Sequence, residues 1–485
     1  MTGLNKTFTF RQSFAVIAVS MFMAQSAYAL QDLSDSVLSE TTGEGLALLP
    51  ENFKMVFQGA NDLSTGSSYN RALAGTDAVN AEQYDTGFIR IIPVGENYAK
   101  YAGISNADLG ARRTKADIFI YGLALSQSDN NLNKRFSNTG FTWGSEANPW
   151  LFRAGTATGI QQFQAANASA DVSYLTLEAP LATVTASESD NNIKLGFWLD
   201  AFSRTLNSSN KINPITGAPV SANAANDTDL TKDQRIRLQF TANGLSLNGS
   251  QVKLFQTQAS SVAQQNQTLG IASILRINTN DDPSALVYAN TDINKNTLNA
   301  KGIRIGTAAI NDGTATTPAL DQSFAPIFDA NEGLYLYSPN INLVLGNMYQ
   351  PFILGSEGNN IILEITRIPN VPEIYKKIYS YYADTDGNNT AVVAGDYKGA
   401  TCNVAACGTT LTAGSINYQG NNATHSSISI GSVSFGSDKL LKANTATDST
   451  GVVFRGVGAA APVNLGSVAI DGVLIQHLKF KTTGL

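Results

Sequence analysis

Strict alternation of apolar and polar residues recurs along most of the chain, and it constrains the fold more than any other feature. Arg235-Ile-Arg-Leu-Gln-Phe240 alternates without a break. Leu334-Tyr-Leu-Tyr337, Ile341-Asn-Leu-Val-Leu345 and Leu195-Gly-Phe-Trp-Leu199 keep the same period with aromatic, amide or glycine partners. A period of two matches the side chains of an extended strand, whereas a helix needs apolar residues three or four apart. Phe53-Lys-Met55-Val-Phe57, Ile118-Phe-Ile120, Leu175-Thr-Leu177, Gln251-Val-Lys-Leu-Phe255 and Ile361-Ile-Leu-Glu-Ile365 extend the series. Between such runs lie Ser128-Asp-Asn-Asn131, Asn207-Ser-Ser-Asn210 and Asp386-Gly-Asn-Asn389, whose side chains bond their own backbone and favour turns. The expected fold is all-β: a large sandwich, or an irregular solenoid-like stack of short antiparallel strands. The polar half of each strand is expected to face outward, over an apolar core.

A faint repeat adds detail. Ile428-Ser-Ile430-Gly431-Ser432-Val433-Ser-Phe435 matches Val463-Asn-Leu465-Gly466-Ser467-Val468-Ala-Ile470, and Gly244-Leu-Ser-Leu247-Asn-Gly249-Ser250 is a looser copy. Each unit is a short strand, a Gly-Ser corner and another short strand. Glycine at the corner permits a left-handed backbone. One body segment departs from period two. Val371-Pro-Glu-Ile-Tyr-Lys-Lys-Ile-Tyr-Ser-Tyr-Tyr382 reads equally as a helix with Pro372 in its first turn or as an aromatic strand.

The first residues carry an address. Lys6 and Arg11 precede an apolar run from Phe14 to Met23, and Ala27-Tyr28-Ala29 supplies the small residues of a cleavage site. This pattern predicts a secretory signal peptide over 1–29, cut between Ala29 and Leu30; the apolar run is shorter than the roughly 20 residues of a spanning helix. Residues 30–50 open with Leu30-Gln-Asp-Leu-Ser-Asp-Ser-Val-Leu-Ser-Glu-Thr-Thr-Gly43. Ser34 as N-cap and Gly43 beyond the last turn predict a short amphipathic helix that must dock on something to persist. A main β body over 51–395 and a C-terminal β segment with Gly-Ser corners over 396–485 complete the expected organisation.

Composition narrows the function. Charged residues are 14 % of the chain and the net charge is −6, which gives no electrostatic reason to bind nucleic acid. Export permits a disulfide, and Cys402 and Cys407, the two cysteines, are expected to close a small local loop. No G-x-S-x-G, H-E-x-x-H, P-loop or dinucleotide fingerprint occurs, and the two histidines, His425 and His477, read as ordinary strand or turn residues. The metal candidate is Asp384, Asp386 and Asn388 with Asp396, alternating oxygen ligands around Gly387 that would suit calcium. Its glycine and closing residue are misplaced for an EF-hand, and the same residues make a polar turn. No other cofactor is expected. Tyr379, Tyr381 and Tyr382 cluster, and cross-strand packing is the expected use of most aromatics.

Leu30 to Gly43 is similar to a motif of exported Gram-negative proteins, of the form Leu-x-x-Leu-Ser-Asp-x-x-Leu-Ser-x-x-Thr-Gly. Asn248-Gly-Ser-Gln-Val-Lys-Leu-Phe-Gln256, Leu334 to Asn347 and Val468 to Leu485 resemble the Fil proteins of gammaproteobacteria, a group labelled as pilus assembly proteins. The resemblance implies a role at the cell surface or in a fimbria, and it carries no catalytic residues. The expectation is an exported, non-enzymatic protein of a pilus-like filament, with filament or cell-envelope proteins as partners, outer-membrane association and a part in adhesion. Two alternatives stand beside it. One is an outer-membrane β-barrel, whose strands alternate toward lipid. The other is a secreted glycan-active enzyme on a β scaffold, with Glu364, Glu373 or the acidic loop at Asp384 as carboxylates.

Overall fold

The structure, a computed structural model, describes residues 45–58, 85–91, 116–129, 131–146, 148–163, 169–180, 193–203, 235–279, 301–312, 317–321, 323–379, 425–435, 441–458 and 461–482. The signal peptide and its Ala29–Leu30 junction, the helical motif up to Gly43, Asp384, Asp386, Asn388, Asp396, Cys402, Cys407, Tyr381 and Tyr382 lie outside them.

The first strands are β1 (Gly45–Leu48), β2 (Met55–Val56), β3 (Phe88–Ile91), β4 (Ala116–Gln127), β5 (Trp150–Ile160), β6 (Ala170–Glu178), β7 (Ile193–Ser203) and β8 (Arg235–Leu245). Then come β9 (Gln251–Gln256), β10 (Leu269–Ile277), β11 (Gly302–Gly306), β12 (Ala309–Asn311), helix α1 (Pro318–Asp321), β13 (Ile327–Phe328), β14 (Gly333–Tyr337) and β15 (Pro339–Leu345). The chain continues with β16 (Phe352–Glu357), β17 (Asn360–Ile365), helix α2 (Pro372–Ile378), β18 (Ser426–Ile430), β19 (Val433–Phe435) and β20 (Leu441–Ala443). It ends with β21 (Val452–Arg455), β22 (Val463–Gly466), β23 (Val468–Val473) and β24 (Leu478–Lys481). The all-β, antiparallel class is therefore the class observed. In the described part of the 371–382 segment, Pro372–Ile378 is helix, with Pro372 in the first turn and Ile374 and Ile378 buried.

Two large sheets hold most strands. The first runs β1-β5-β6-β9-β10-β15-β18-β23, with β16, β17 and β24 attached, and the second runs β2-β4-β7-β8-β11-β14-β21-β22, with β3 attached. Set side by side, the two orders correspond strand for strand. The chain enters one sheet and passes into the other before it turns back, so each pair acts as one long rung. The rungs are β1-β2-β3, β4-β5, β6-β7, β8-β9, β10-β11, β14-β15-β16, β17-β18-β21 and β22-β23-β24. Consecutive rungs are hydrogen-bonded antiparallel neighbours throughout. The fold is thus one up-and-down meander of eight rungs crossing two sheets. The first and last rungs are unpaired edges among the described residues, and the sheets are not closed into a barrel. Most described strands of the 396–485 segment belong to the same two sheets as the body, β18 beside β15 and β21 beside β14, while β19 and β20 pair as a separate hairpin.

The Gly-Ser repeat marks the places where rungs change sheet. Gly249, Gly431 and Gly466 have φ of 81°, 84° and 83° at the corners of the fourth, seventh and eighth rungs. The serine that follows fastens each corner. Ser250 Oγ accepts the Arg276 N–H at 2.9 Å, Ser432 Oγ accepts the Thr450 N–H at 3.3 Å, and Ser467 Oγ donates to the Asn444 carbonyl at 3.0 Å. The sixth rung turns on Ser338 alone, at φ 43°.

Insertions between the strands fold back over one face of each sheet. Leu132 packs with Tyr335, Tyr337 and Val453. Ala319 of α1, Ala325 and Phe328 pack on Phe119, Tyr121, Trp198 and Phe202. Met348 covers Ile160, Val172, Phe255 and Ala272 of the other sheet. The 131–136 segment comes so close that a Cβ on Gly196 would run into the Arg135 carbonyl oxygen. A side chain at 196 is therefore excluded by the covering segment. Gly196→Ala is expected to lower stability by about 1–3 kcal/mol, the usual cost of overpacking. Thermal unfolding checks it, and Gly196→Val, which forces more atoms into the same space, should lower the melting temperature further.

Candidate functional site

The two faces of each sheet differ in kind, and cross-strand register shows it directly. In the second sheet one row reads Phe197, Phe240, Ile305, Leu334, Phe454 and Val463, each opposite the next. Another reads Ile89, Ile120, Leu199 and Leu238. The first sheet continues the theme with Ala154, Leu175, Leu254, Ile271, Phe352, Ile365 and Leu478. This apolar face is the open one. Ile236 is 66 % exposed, Phe480 60 % and Leu46 56 %.

The opposite, covered face sets polar and charged side chains among the buried aromatic and aliphatic residues that the insertions cover. Arg237, Gln239, Thr241 and Asn243 alternate with Leu238, Phe240 and Ala242, and all four are buried. The expectation that the polar residues of the alternating strands face outward is thereby reversed. A period of two defines two faces but does not say which one is covered.

Buried charge on the covered face is held by counter-charges or by amide and carbonyl oxygens. Arg237 holds Asp200 bidentately, Nε to Oδ1 and Nη2 to Oδ2, both at 2.7 Å. Arg237 Nη1 and Arg235 Nη2 reach Asp312 at 2.5 and 2.6 Å. Arg90 grips Asp117 through two bonds. Arg135, fully buried, donates to Asp85 Oδ2 at 2.9 Å and to the Gly122 carbonyl, and its guanidinium lies 4.1 Å from the Trp198 ring. Gly122, at φ 57°, is the bulge that brings that carbonyl inward. Lys194 reaches Asp129 Oδ1 at 2.6 Å and the Asn131 carbonyl at 2.5 Å. Arg304 donates to the Gln239 side chain and to the Asp329 and Glu332 carbonyls, while the Glu332 carboxylate accepts from Thr307 and Ala308. Burial and the nearby Asp200 charge push the Tyr121 hydroxyl well above its ordinary range. Burial pushes Tyr335 to about 12.

The sequence-derived enzyme candidates are dispersed. Glu364 is buried and 3.2 Å from His477 Nε2, whereas Glu373 sits exposed in the first turn of α2. His425 is buried against the edge of Tyr379, which also stacks on Tyr375. Among the described residues no three His, Cys, Asp or Glu side chains are placed to hold a metal ion. A shallow depression of about 560 Å³ beside Tyr174, Thr156 and Gln256 holds no acid–base pair. No described helix is long and apolar enough to cross a membrane, a statement that does not bear on strands. The feature that sequence reading missed is the apolar face itself, although the alternation that builds it was on view.

Three outcomes follow for stability. Asp200→Ala strands the buried Arg237 with one partly exposed partner, and a loss of about 3 kcal/mol in urea unfolding is expected. Asp312→Ala, at a carboxylate 38 % exposed but shared by the buried guanidiniums of Arg235 and Arg237, is expected to cost less than Asp200→Ala, about 1–2 kcal/mol. His425 is held near 4 by burial, opposed by the Asp471 charge. The folded state therefore binds fewer protons than the unfolded state between that value and an ordinary histidine's 6.5. Stability should fall as pH drops from about 6.5 toward 4 and then lose that component of its slope. Melting temperature against pH, compared with His425→Gln, reads the difference. Comparison with protein-family models, with curated proteins and with solved structures finds no match for this chain.

Proposed function

We propose that this is an exported, non-catalytic structural protein of a Gram-negative envelope, which seats the open faces of its two sheets against the hydrocarbon of the outer membrane. The observation that carries this reading is the open face: ion pairs and amides lie on the covered faces among buried aromatics, while rows made mostly of Leu, Ile, Val and Phe lie on the open ones. In water that layout leaves large apolar area solvated, at roughly 25 cal/mol per Å². Against lipid the same area is matched, and apolar-out, polar-in alternation is the pattern of membrane-spanning strands. The signal peptide expected from Lys6 to Ala29 supplies the export route.

A second reading, a subunit or assembly factor of a pilus-like surface filament, is favoured by the unpaired edges and by the resemblance of Leu30–Gly43 and Val468–Leu485 to the Fil proteins. Filament counts by electron microscopy in a deletion strain test it; unchanged filaments and adhesion would remove it.

The membrane reading predicts that the protein stays with the outer-membrane fraction through carbonate extraction. Ile236→Arg and Leu254→Arg should release it or block its insertion. An arginine in the hydrocarbon costs about 2–4 kcal/mol at mid-depth, whereas at a water-exposed site it costs within about 0.5 kcal/mol. Wild-type protein found in the carbonate wash, with both variants indistinguishable from it, would overturn the proposal.

A further inference from the structure

The two edges of the meander are complementary, and the geometry points to their use: we infer that a second copy of this chain pairs its first rung with the last rung of its neighbour. The last rung presents Val463-Asn-Leu-Gly-Ser-Val-Ala-Ile-Asp-Gly-Val473 along both sheets with no neighbour on its outer side among the described residues. Natural edge strands are blunted by lysine, proline, bulges or covering segments. Between 463 and 473 there is no lysine and no proline, and Asp471 is the only charge. Lys479 and Lys481 stand farther along, on β24, where both are held by Glu357. The edge bulges once in each strand, opposite Ser426–Ile428 and opposite Val452–Val453, but among the described residues no strand is hydrogen-bonded along its outer side.

The first rung fits that edge on three counts. It runs from the first sheet into the second, and the last rung runs the opposite way, so the two meet antiparallel. Its strands supply a partner in each sheet: β1 beside β23 extends the first, and β2 beside β22 extends the second. Its open-face residues, Leu46 and Met55, continue the apolar rows that end at Ile470 and Leu465. Among the described residues these two rungs are not joined within one chain, which directs the pairing to a neighbour. Such a contact is head-to-tail, so it propagates into a ring or an open filament. Where it rests on the membrane reading it gains force, because unpaired backbone groups at a sheet edge are not tolerated in hydrocarbon.

A benzophenone photo-crosslinking side chain at position 465 or 470 tests the inference in the full chain, in cells and after extraction. The expected product has twice the chain mass, and its crosslinked peptides come from 45–56. Ile470→Lys should reduce crosslinking from position 465 at least tenfold without changing the melting temperature of the extracted protein. Ile310→Lys, on the small β12–β13 hairpin, should leave crosslinking unchanged. A crosslink of single chain mass to 45–56 would show that the chain closes on itself, and a crosslink to 463–473 of a second copy would show like edges meeting. Either result overturns the inference, as does capture of a different protein or no product above that of a probe at position 310. Carbonate fractionation of the same samples reports the membrane seat separately, so the two proposals fail independently.

Discussion

Arg237 clamped between Asp200 and Asp312 shows the constraint on which the rest of the molecule depends: charge carried on the covered faces must be matched there. Removing an ion from water costs several kcal/mol even after the protein relaxes, and only a well-placed counter-charge offsets it. Three further cations on the covered face of the second sheet have such a match. Asp117 serves Arg90, Asp85 serves Arg135 and Asp129 serves Lys194. These partners come from different rungs or from the insertions between them. The pairing thus fixes where the covering segments lie. The 131–136 segment, for example, is fastened by Arg135 over Trp198 and by its carbonyl against Gly196.

The covering segments and the rung corners solve separate problems. A rung that crosses two sheets must change direction without leaving backbone groups unpaired, since buried N–H and C=O groups require partners. A left-handed glycine makes the turn, and the following serine takes up a backbone group beside it. Ser338 makes the same turn in the sixth rung without glycine, accepting a conformation that costs a non-glycine residue roughly 1–2 kcal/mol. The Gly-Ser repeat was legible in the sequence because the chemistry of each corner is local. Its meaning was not, because nothing in Gly431-Ser432 or Gly466-Ser467 says that the flanking strands belong to different sheets.

Legibility divides along the same line elsewhere. Strand alternation and the antiparallel all-β class depend on neighbours within a few residues, and the sequence declares them; at Pro372 it leaves helix and aromatic strand evenly open. The side on which a strand is covered depends on segments far away in the chain. Leu132, Met348 and Phe328 cover sheets whose own strands carry no mark of it. Arg235-Ile-Arg-Leu-Gln-Phe240 is the clearest instance. Its period was plain, and the ordinary rule of apolar inside and polar outside assigned its faces the wrong way round. The arginines gave a clue: three to five donors each are hard to satisfy alone, but a facing Asp200 and Asp312 satisfy them. Only the register places those carboxylates there.

The reversed polarity also accounts for the low charge of the chain, 14 %. A soluble β protein distributes charge over the open faces of its strands, where each ion is hydrated without a partner. Here the open faces carry almost none, and the charges of the covered faces each need a counter-charge or, as at Arg276 and Arg304, a set of amide and carbonyl oxygens, which limits how many can be accommodated. Neutral amides and hydroxyls take the remaining covered positions: Gln239, Asn243, Asn342 and Ser427 each complete a hydrogen bond without the desolvation penalty of an ion. Low charge, abundant Asn, Ser and Thr, and apolar open faces are therefore one property seen three times. A chain built this way has little to keep its faces and edges apart in water, and it gains most where lipid or another copy of itself meets them.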